Sequence, residues 1–314
     1  MFWKYFLVKD QFYPNDSARK AELDKDVMFM IAQDVQPFSV VNDVGFRRLI
    51  NKLDPWYKLP SKTHLRNVVL PSEYAKLKLK LQTELSYVEN LAITTDCWTS
   101  GANEGYLTVT CHYINNSFEL KCVVLSTEKL LTATNHTAPN IADTLTSVLK
   151  SWNIFQKVVT IVTDNDATMK KACDLMAIKH MPCVAHTINL LVQELLKSES
   201  LLPLLNKCKR IVSFFKSSSM AYEKLKEAQK CSAPYGVIQE VPTRWNSAYL
   251  MIQRTILIKD AISSVLLLLH KAPSPLLADE IQVLEEVCSI LTPFYEATKQ
   301  VSASKSTTIS LRGG

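Results

Sequence analysis

The fold is decided by one stretch of sequence, Ile93-Thr94-Thr95-Asp96-Cys97-Trp98-Thr99-Ser100. It completes a run from Leu91 to Thr95 that is rich in strand-forming residues and ends at the carboxylate of Asp96. A second run, Lys157 to Thr163, is almost continuously apolar and ends at Asp164. Continuous apolar strands are typical of parallel strands buried on both faces. The two runs therefore predict neighbouring strands of an α/β sheet, each followed by an aspartate.

The segments around these strands predict the rest of the sheet. Two further strands, Tyr106 to Tyr113 and Phe118 to Thr127, are joined by short links and indicate an antiparallel meander. A helix is predicted after Thr137, with Pro139 in its first turn, and another after Asp166 as its cap. The order β-β-β-α-β-α predicts a mixed sheet with helices packed on it.

The pattern of apolar residues changes twice along the chain. Before residue 90 it is irregular and helical, and after His186 every apolar stripe has helical spacing. We therefore predict an N-terminal helical region over 1–89, an α/β (α+β) core over 90–187, and an all-helical module over 188–314.

Composition sets limits on the class of protein. Apolar residues make up 47% of the chain, which is ordinary for a globular protein and argues against general disorder. Eight cysteines without a Cys-x2-Cys pair are typical of a reducing compartment. No apolar run approaches the roughly 20 residues of a membrane span, and residues 1–8 are too short for a signal peptide. The net charge of +6 is compatible with nucleic acid but does not establish it.

Asp96 and Asp164 are the first candidates for chemistry. Ligands gather at the carboxyl ends of strands in α/β folds, and two carboxylates there are suited to divalent cations. Taken alone, an aspartate at a strand end more often caps a turn or a helix. Both interpretations stay open on spacing alone.

Two other segments offer alternatives of the same kind. His180, Cys183 and His186 are spaced as possible zinc ligands, but no second pair completes four ligands, so a core cysteine with two histidines is favoured. Arg244 beside Trp245 could bind a phosphate and stack on a base, or the tryptophan could anchor a helix. Two basic series could face DNA or be a solvated surface: Arg47, Arg48 and Lys52, and Lys76, Lys78 and Lys80.

Read together and in order, four of these segments resemble the hAT-family transposases. They are Thr94 to Ser100, Thr163-Asp164-Asn165, Pro182-Cys183-Val184-Ala185-His186-Thr187-Ile188-Asn189-Leu190, and Pro242-Thr243-Arg244-Trp245-Asn246-Ser247. The match is closest to the zinc finger BED domain-containing proteins, which resemble domesticated transposons, and it covers about residues 25–310. The set is specific as an ordered group, although no single segment is.

The resemblance implies an RNase H-like fold interrupted by a helical insertion, and it assigns residues to roles. Asp96 and Asp164 correspond to the first two acids of a DDE triad that holds Mg²⁺ or Mn²⁺. Cys183 and His186 match the family's CxxH element beside the active site. Arg244 and Trp245 match its RW element, in which the tryptophan is expected to stack on DNA. A nuclear location also follows from the resemblance alone.

Three departures from the family pattern shape the expected function. The third acid, the dimerisation segment and the BED finger are not found in the sequence, so the set Asp96, Asp164 and His186 is expected to be vestigial. The resemblance thus implies a nuclear, DNA-binding protein of the transcription-regulator type without catalysis. The alternatives are a DDE transposase whose third acid comes from the insertion or a partner chain, and a fragment of a longer protein.

Overall fold

The chain divides into two compact units, Met1–Tyr87 and Val88–Gly314. The computed structural model describes residues 12–130 and 137–302. The predictions for residues 1–8 and for the chain after Ser302 lie outside the described residues. Within the described ranges, no helix combines the length and the apolar character that crossing a membrane requires.

The first unit is helical, as its irregular apolar pattern predicts. Its elements are α1 (Ala18–Gln33), a short 3-10 helix (Phe38–Asn42), α2 (Val44–Leu53), α3 (Lys62–His64), a short π-helix (Leu65–Val69) and α4 (Leu70–Ser86). Ser17 caps α1 by accepting a hydrogen bond from the backbone N–H of Lys20. The core gathers Val27, Met28, Ile31, Val41, Tyr57 and Leu65.

The start of α4 differs from the prediction that Ser72 caps a helix beginning at Glu73. The backbone is already helical at Val69, so α4 begins at Leu70 with Pro71 in its first turn, and Ser72 lies inside the helix. The strand-like alternation from Lys76 to Leu81 is likewise part of this helix. Lys76 and Lys80 are one helical turn apart, and Lys78 points away from them, so the three lysines share no face.

The second unit contains the predicted mixed sheet. Its strands are β1 (Leu91–Thr99), β2 (Gly105–Ile114), β3 (Leu120–Lys129), β4 (Val158–Thr163) and β5 (His180–Pro182), in the order β3-β2-β1-β4-β5. β1, β2 and β3 pair antiparallel, whereas β4 pairs parallel to both β1 and β5. The meander and the parallel pairing of the two carboxylate-bearing strands are thus confirmed.

Two features of the sheet were not predicted. β1 extends to Thr99, because its ladder with β2 runs on to Thr99↔Gly105 while its ladder with β4 stops at Thr94↔Val162. Asp96 therefore lies within β1, at the point where its parallel neighbour ends. β5 was missed because it has three residues, and its strand conformation depends on its pairing with β4.

Two helices pack against each other and against strands of the sheet, and each begins where the sequence predicts. α5 (Ala138–Ser151) follows Thr137 with proline in its first turn, and it buries Ile141, Leu145 and Leu149. α6 (Ala167–Leu175) is capped by Asp166, whose side chain accepts from the backbone N–H groups of Thr168 and Met169. Thr137 makes no side-chain capping bond, but the preference for proline in a first turn and the Asp166 cap are both local, so both helix starts can be read from the sequence.

The remainder of the described chain is helical, as predicted. Its helices are α7 (Val184–Leu196), α8 (Leu202–Ser217), α9 (Ser219–Ala228), α10 (Trp245–Leu257), α11 (Lys259–Leu268) and α12 (Ala278–Val301). They share one apolar core that includes Cys208, Ile211, Phe215, Trp245 and Leu284. α7 belongs to this core only through part of its stripe, because Leu191 and Leu195 remain exposed.

Candidate functional site

Asp96 and Asp164 are brought to the same edge of the sheet by the register of β1 and β4. The parallel ladder pairs Ile93 with Ile161 and Thr94 with Val162. Continuing this register by two residues sets Asp96 level with Asp164, on strands that lie about 4.8 Å apart. The structure therefore brings the two aspartates together.

The electrostatics of the pair follow from this proximity. Burial raises the pKa of Asp96 above its ordinary value, and the nearby charge of Asp164 raises it further. A hydrogen bond from the Cys97 backbone and the proximity of His186 act in the opposite direction and lower this pKa. Two carboxylates that repel each other favour either a proton or a cation between them.

The two aspartates lie in an open pocket of about 340 Å³. Cys183 and His186 line its side, and three threonines on the open face of the sheet line its floor: Thr94, Thr108 and Thr110. The floor was not predicted, although the signal was available. These threonines occupy alternate positions of β1 and β2, and alternate side chains of a strand share one face.

The first turn of α7 brings the CxxH residues into the pocket. The backbone N–H of Cys183 donates to the carbonyl of Thr163, the last residue of β4, at 2.7 Å. The Thr187 hydroxyl donates to the carbonyl of Cys183 and accepts from the side chain of Asn165. These bonds hold the start of α7 against the segment that carries Asp164. The positive end of the helix dipole therefore lies beside the carboxylates.

His180 is not part of this group. It belongs to β5, and its Nε2 lies 3.0 Å from the Thr163 hydroxyl. Across residues 12–130 and 137–302, no three or more histidine, cysteine, aspartate and glutamate side chains come together as a metal site. The structure therefore does not assemble the zinc set His180, Cys183 and His186.

Whether the pocket fits a divalent cation depends on the ligand atoms that it offers. Mg²⁺ in phosphoryl-transfer sites is commonly held by one or two carboxylates, and water or substrate phosphates complete its shell. Asp96 and Asp164 supply two such oxygen ligands on one side of an open pocket. These residues fit Mg²⁺ or Mn²⁺ as a partial ligand set.

Arg244 and Trp245 have different surroundings although they are adjacent in the chain. Arg244 is exposed at the N-terminal cap of α10. Trp245 is only 3% exposed and lies against Tyr249 and Tyr295, with ring centroids 6.3 and 6.4 Å away. In this conformation the indole anchors α10, which is the structural alternative that the sequence left open. Stacking on DNA stays a prediction, and it requires the ring to leave this core.

The turn before α10 is held rigidly. The Ser247 hydroxyl bonds to the backbone of Val241 and to the carbonyl of Arg244. The Trp245 backbone N–H donates to the side-chain oxygen of Asn189 on α7, at 3.3 Å. The Arg244 turn is thus tied to the same helix that begins at the pocket.

Comparison with known proteins gives the family. The model of the ZBED1 RNase-like domain matches residues 94–188, and that of the ZBED1 RNase-like helical domain matches residues 181–290. A putative AC transposase from Zea mays is 29% identical over 246 residues, which cover 72% of this chain and 30% of the transposase. The chain belongs to the hAT transposase-like family.

Two other relatives of this hAT-like chain are named as a BED zinc finger protein and as a transcriptional regulator. Zinc finger BED domain-containing protein 4 of Homo sapiens is 29% identical over 313 residues, which are 95% of the chain and 26% of that protein. The putative transcriptional regulator tpeD of Talaromyces stipitatus is 25% identical over 92% of the chain and 39% of its own length. The chain therefore spans between about a quarter and two fifths of these relatives. Their names support a transposase-derived regulator.

Proposed function

We propose that this hAT-like chain is a nuclear DNA-binding protein of the transcription-regulator type that does not cleave DNA by itself. Support for the regulatory role comes from relatives named as BED zinc finger proteins and as a transcriptional regulator. Support for contact with DNA comes from relatives named as transposases. The nuclear location is the one in which a DNA-binding regulator acts.

The paired carboxylates of Asp96 and Asp164 in the open pocket carry this proposal. They are suited to hold Mg²⁺ or Mn²⁺, which stabilises developing charge in phosphoryl transfer. The resemblance implies a third acidic ligand, and none joins the pair within residues 12–130 and 137–302. Without it, the ion is held less firmly and the attacking oxygen is oriented less well. We expect binding of DNA and metal without strand cleavage.

The proposal is tested by a nicking assay on supercoiled and on end-labelled DNA with Mg²⁺ or Mn²⁺. The matched control is the double variant Asp96→Asn/Asp164→Asn. We expect shifted, intact DNA with both proteins. Cleavage that requires metal and disappears in the double variant would instead assign the second candidate function, a DDE-type DNA transposase. The observation that supports this second candidate is the proximity of the Asp96 and Asp164 carboxylates.

Arg244 provides a test of DNA contact that is separate from cleavage. Its guanidinium is exposed on a turn whose backbone is fixed by Ser247 and Asn189, so the backbone needs no further ordering when the side chain meets a phosphate. We expect Arg244→Ala to weaken binding of DNA by about threefold to tenfold and to lower the salt-dependence slope by about one.

Fluorescence anisotropy at several salt concentrations measures both quantities for Arg244→Ala. Arg19→Ala is the matched control, because Arg19 is an exposed arginine of the first unit that pairs with Glu22. If the two variants lose the same affinity, or if neither loses any, Arg244 is not a phosphate contact.

A further inference from the structure

The three cations of α2 are displayed together on the solvent side of that helix. Phe46 and Ile50 pack against the core of the first unit. Because an α-helix has 3.6 residues per turn, Arg48 and Lys52 lie one turn apart on the side opposite to these two residues, and Arg47 lies on the flank next to Arg48. All three cations are exposed. We call Arg47, Arg48 and Lys52 the basic face of α2.

No carboxylate balances the charge of the basic face. α2 contains no acidic residue, and the remaining polar side chain of the helix, Asn51, is exposed and uncharged. Across residues 12–130 and 137–302, none of the three cations forms an ion pair. The nearest acids in the sequence, Asp43 and Asp54, lie beyond the two ends of α2. The basic face is therefore a surface of one sign.

Other cations of the first unit are paired within the chain. Arg19 lies 2.9 Å from Glu22 on α1. Glu73 on α4 lies 2.6 Å from Lys76 and 4.0 Å from Lys25. Interspersed charges of both signs are ordinary for a protein surface, whereas an exposed cluster of cations attracts a polyanion. The basic face of α2 thus differs from the surfaces of α1 and α4, and this difference favours binding over a merely solvated surface.

We propose that the basic face of α2 binds the phosphate backbone of double-stranded DNA, as a contact separate from Arg244. This inference rests on the proposed DNA-binding function. The helix rises by about 7.5 Å from Arg47 to Lys52. This rise is roughly twice the axial spacing of about 3.4 Å between successive phosphates of one DNA strand. The three cations can therefore neutralise up to three successive phosphates, and each guanidinium can bind a phosphate with two hydrogen bonds.

The helix that carries the basic face is held at both ends. At its start, the backbone N–H of Arg47 donates to the carbonyl of Asp43 at 2.9 Å. At its end, the backbone N–H of Asp54 donates to the carbonyl of Ile50, also at 2.9 Å. The Asp54 carboxylate is itself engaged, because it accepts from the Tyr13 hydroxyl at 3.2 Å. The backbone of α2 therefore needs no further ordering when the cations meet DNA.

The test is the triple variant Arg47→Gln/Arg48→Gln/Lys52→Gln in the full chain. Fluorescence anisotropy of a short labelled duplex at several salt concentrations measures its binding of DNA. We expect the triple variant to lose about thirtyfold or more in affinity and to lower the salt-dependence slope by about 2.7, because three phosphate contacts are removed. The loss should be the same for two duplexes of unrelated sequence, since phosphates carry no sequence information. Lys52→Gln alone should lower the slope by about one.

The matched control is Arg19→Gln/Lys25→Gln/Lys76→Gln. It removes the same charge from the same unit, but from cations that already have a carboxylate within 4.0 Å. We expect the control to change the affinity for DNA by less than about threefold. Equal losses in the two triple variants would show that only the total charge of the chain matters, and this result would overturn the inference.

Further outcomes separate this inference from the proposed function. If the parent chain binds DNA and Arg244→Ala weakens that binding while the triple variant of α2 does not, the basic face is not a DNA contact and the proposed function stands. If the parent chain does not bind DNA, both are wrong. If the triple variant loses binding of a polyglutamate peptide and keeps its affinity for DNA, the face takes an acidic protein, which also overturns the inference.

Discussion

Trp245→Ala is expected to lower the free energy of unfolding of the helical part by about 3–5 kcal/mol. Trp245 is 3% exposed, begins α10 and packs against Tyr249 and Tyr295, which are themselves in contact with ring centroids 4.8 Å apart. Its removal leaves a large cavity between α10 and α12. Urea unfolding monitored by circular dichroism measures this loss.

Trp245→Phe removes less side-chain volume from the same site. The indole Nε1 is buried and has no hydrogen-bond partner among the described residues, so phenylalanine breaks no bond there. We expect this variant to lose only about 1–2 kcal/mol, because it retains most of the apolar volume. Trp98→Ala is the matched control, because Trp98 is 43% exposed on β1 and should lose less than Trp245→Ala.

Binding of DNA by Trp245→Phe separates the two interpretations of this residue. If the indole is a core anchor, the variant binds DNA with the affinity of the parent chain once both are folded. If affinity drops severalfold while stability is retained, the indole leaves its core to contact DNA. That second result would contradict the anchor role and support base stacking.

The sheet could be predicted from sequence because its decisive signals are local. The apolar run before Asp164 indicated a strand buried on both faces, and Asp166 indicated the cap of the helix that follows. The two runs predicted neighbouring strands that carry Asp96 and Asp164, and the ladder of β1 with β4 has the corresponding register. A helix cap or a strand period depends on residues only a few positions apart.

Other features depend on partners that are distant in sequence and could not be predicted. β5 is three residues long and exists because β4 offers it a parallel ladder. The burial of Trp245 results from Tyr295, which lies 50 positions later in the chain. His180 stays outside the pocket because β5 pairs it with Ile161 of β4, three positions before Asp164. In each case the neighbouring sequence was compatible both with the predicted structure and with the observed one.

The double variant Asp96→Asn/Asp164→Asn is expected to change stability in opposite directions with and without metal. Because the pKa of Asp96 is raised in the folded chain, folding favours its protonated form. The stability that protonated Asp96 contributes is therefore complete below the ordinary aspartate pKa of about 3.9. It is lost as the pH rises through the raised pKa of Asp96 in the folded chain. At pH 7 without metal, the variant should be more stable, by no more than about 1 kcal/mol because the pocket is open to solvent.

Bound metal is expected to make the parent chain more stable than the double variant. An ion present at about 100 times its Kd stabilises the parent chain by about 2.7 kcal/mol, whereas the double variant lacks both carboxylate ligands and gains almost nothing. Thermal unfolding at pH 7 with EDTA and then with excess Mn²⁺ measures both arms. Asp174→Asn is the control, since it neutralises an exposed aspartate on α6 and should follow the parent chain in both.

The two arms of this experiment report on different properties of the pair. A gain in stability without metal measures the combined cost of burying the Asp96 charge and of its repulsion by Asp164, and the loss of the Mn²⁺ effect measures their joint role as ligands. A double variant that is less stable than the parent in EDTA would show that the carboxylates are held by hydrogen bonds and do not oppose each other. An equal Mn²⁺ effect in both proteins would place the ion elsewhere and show that the pair is not its ligand set.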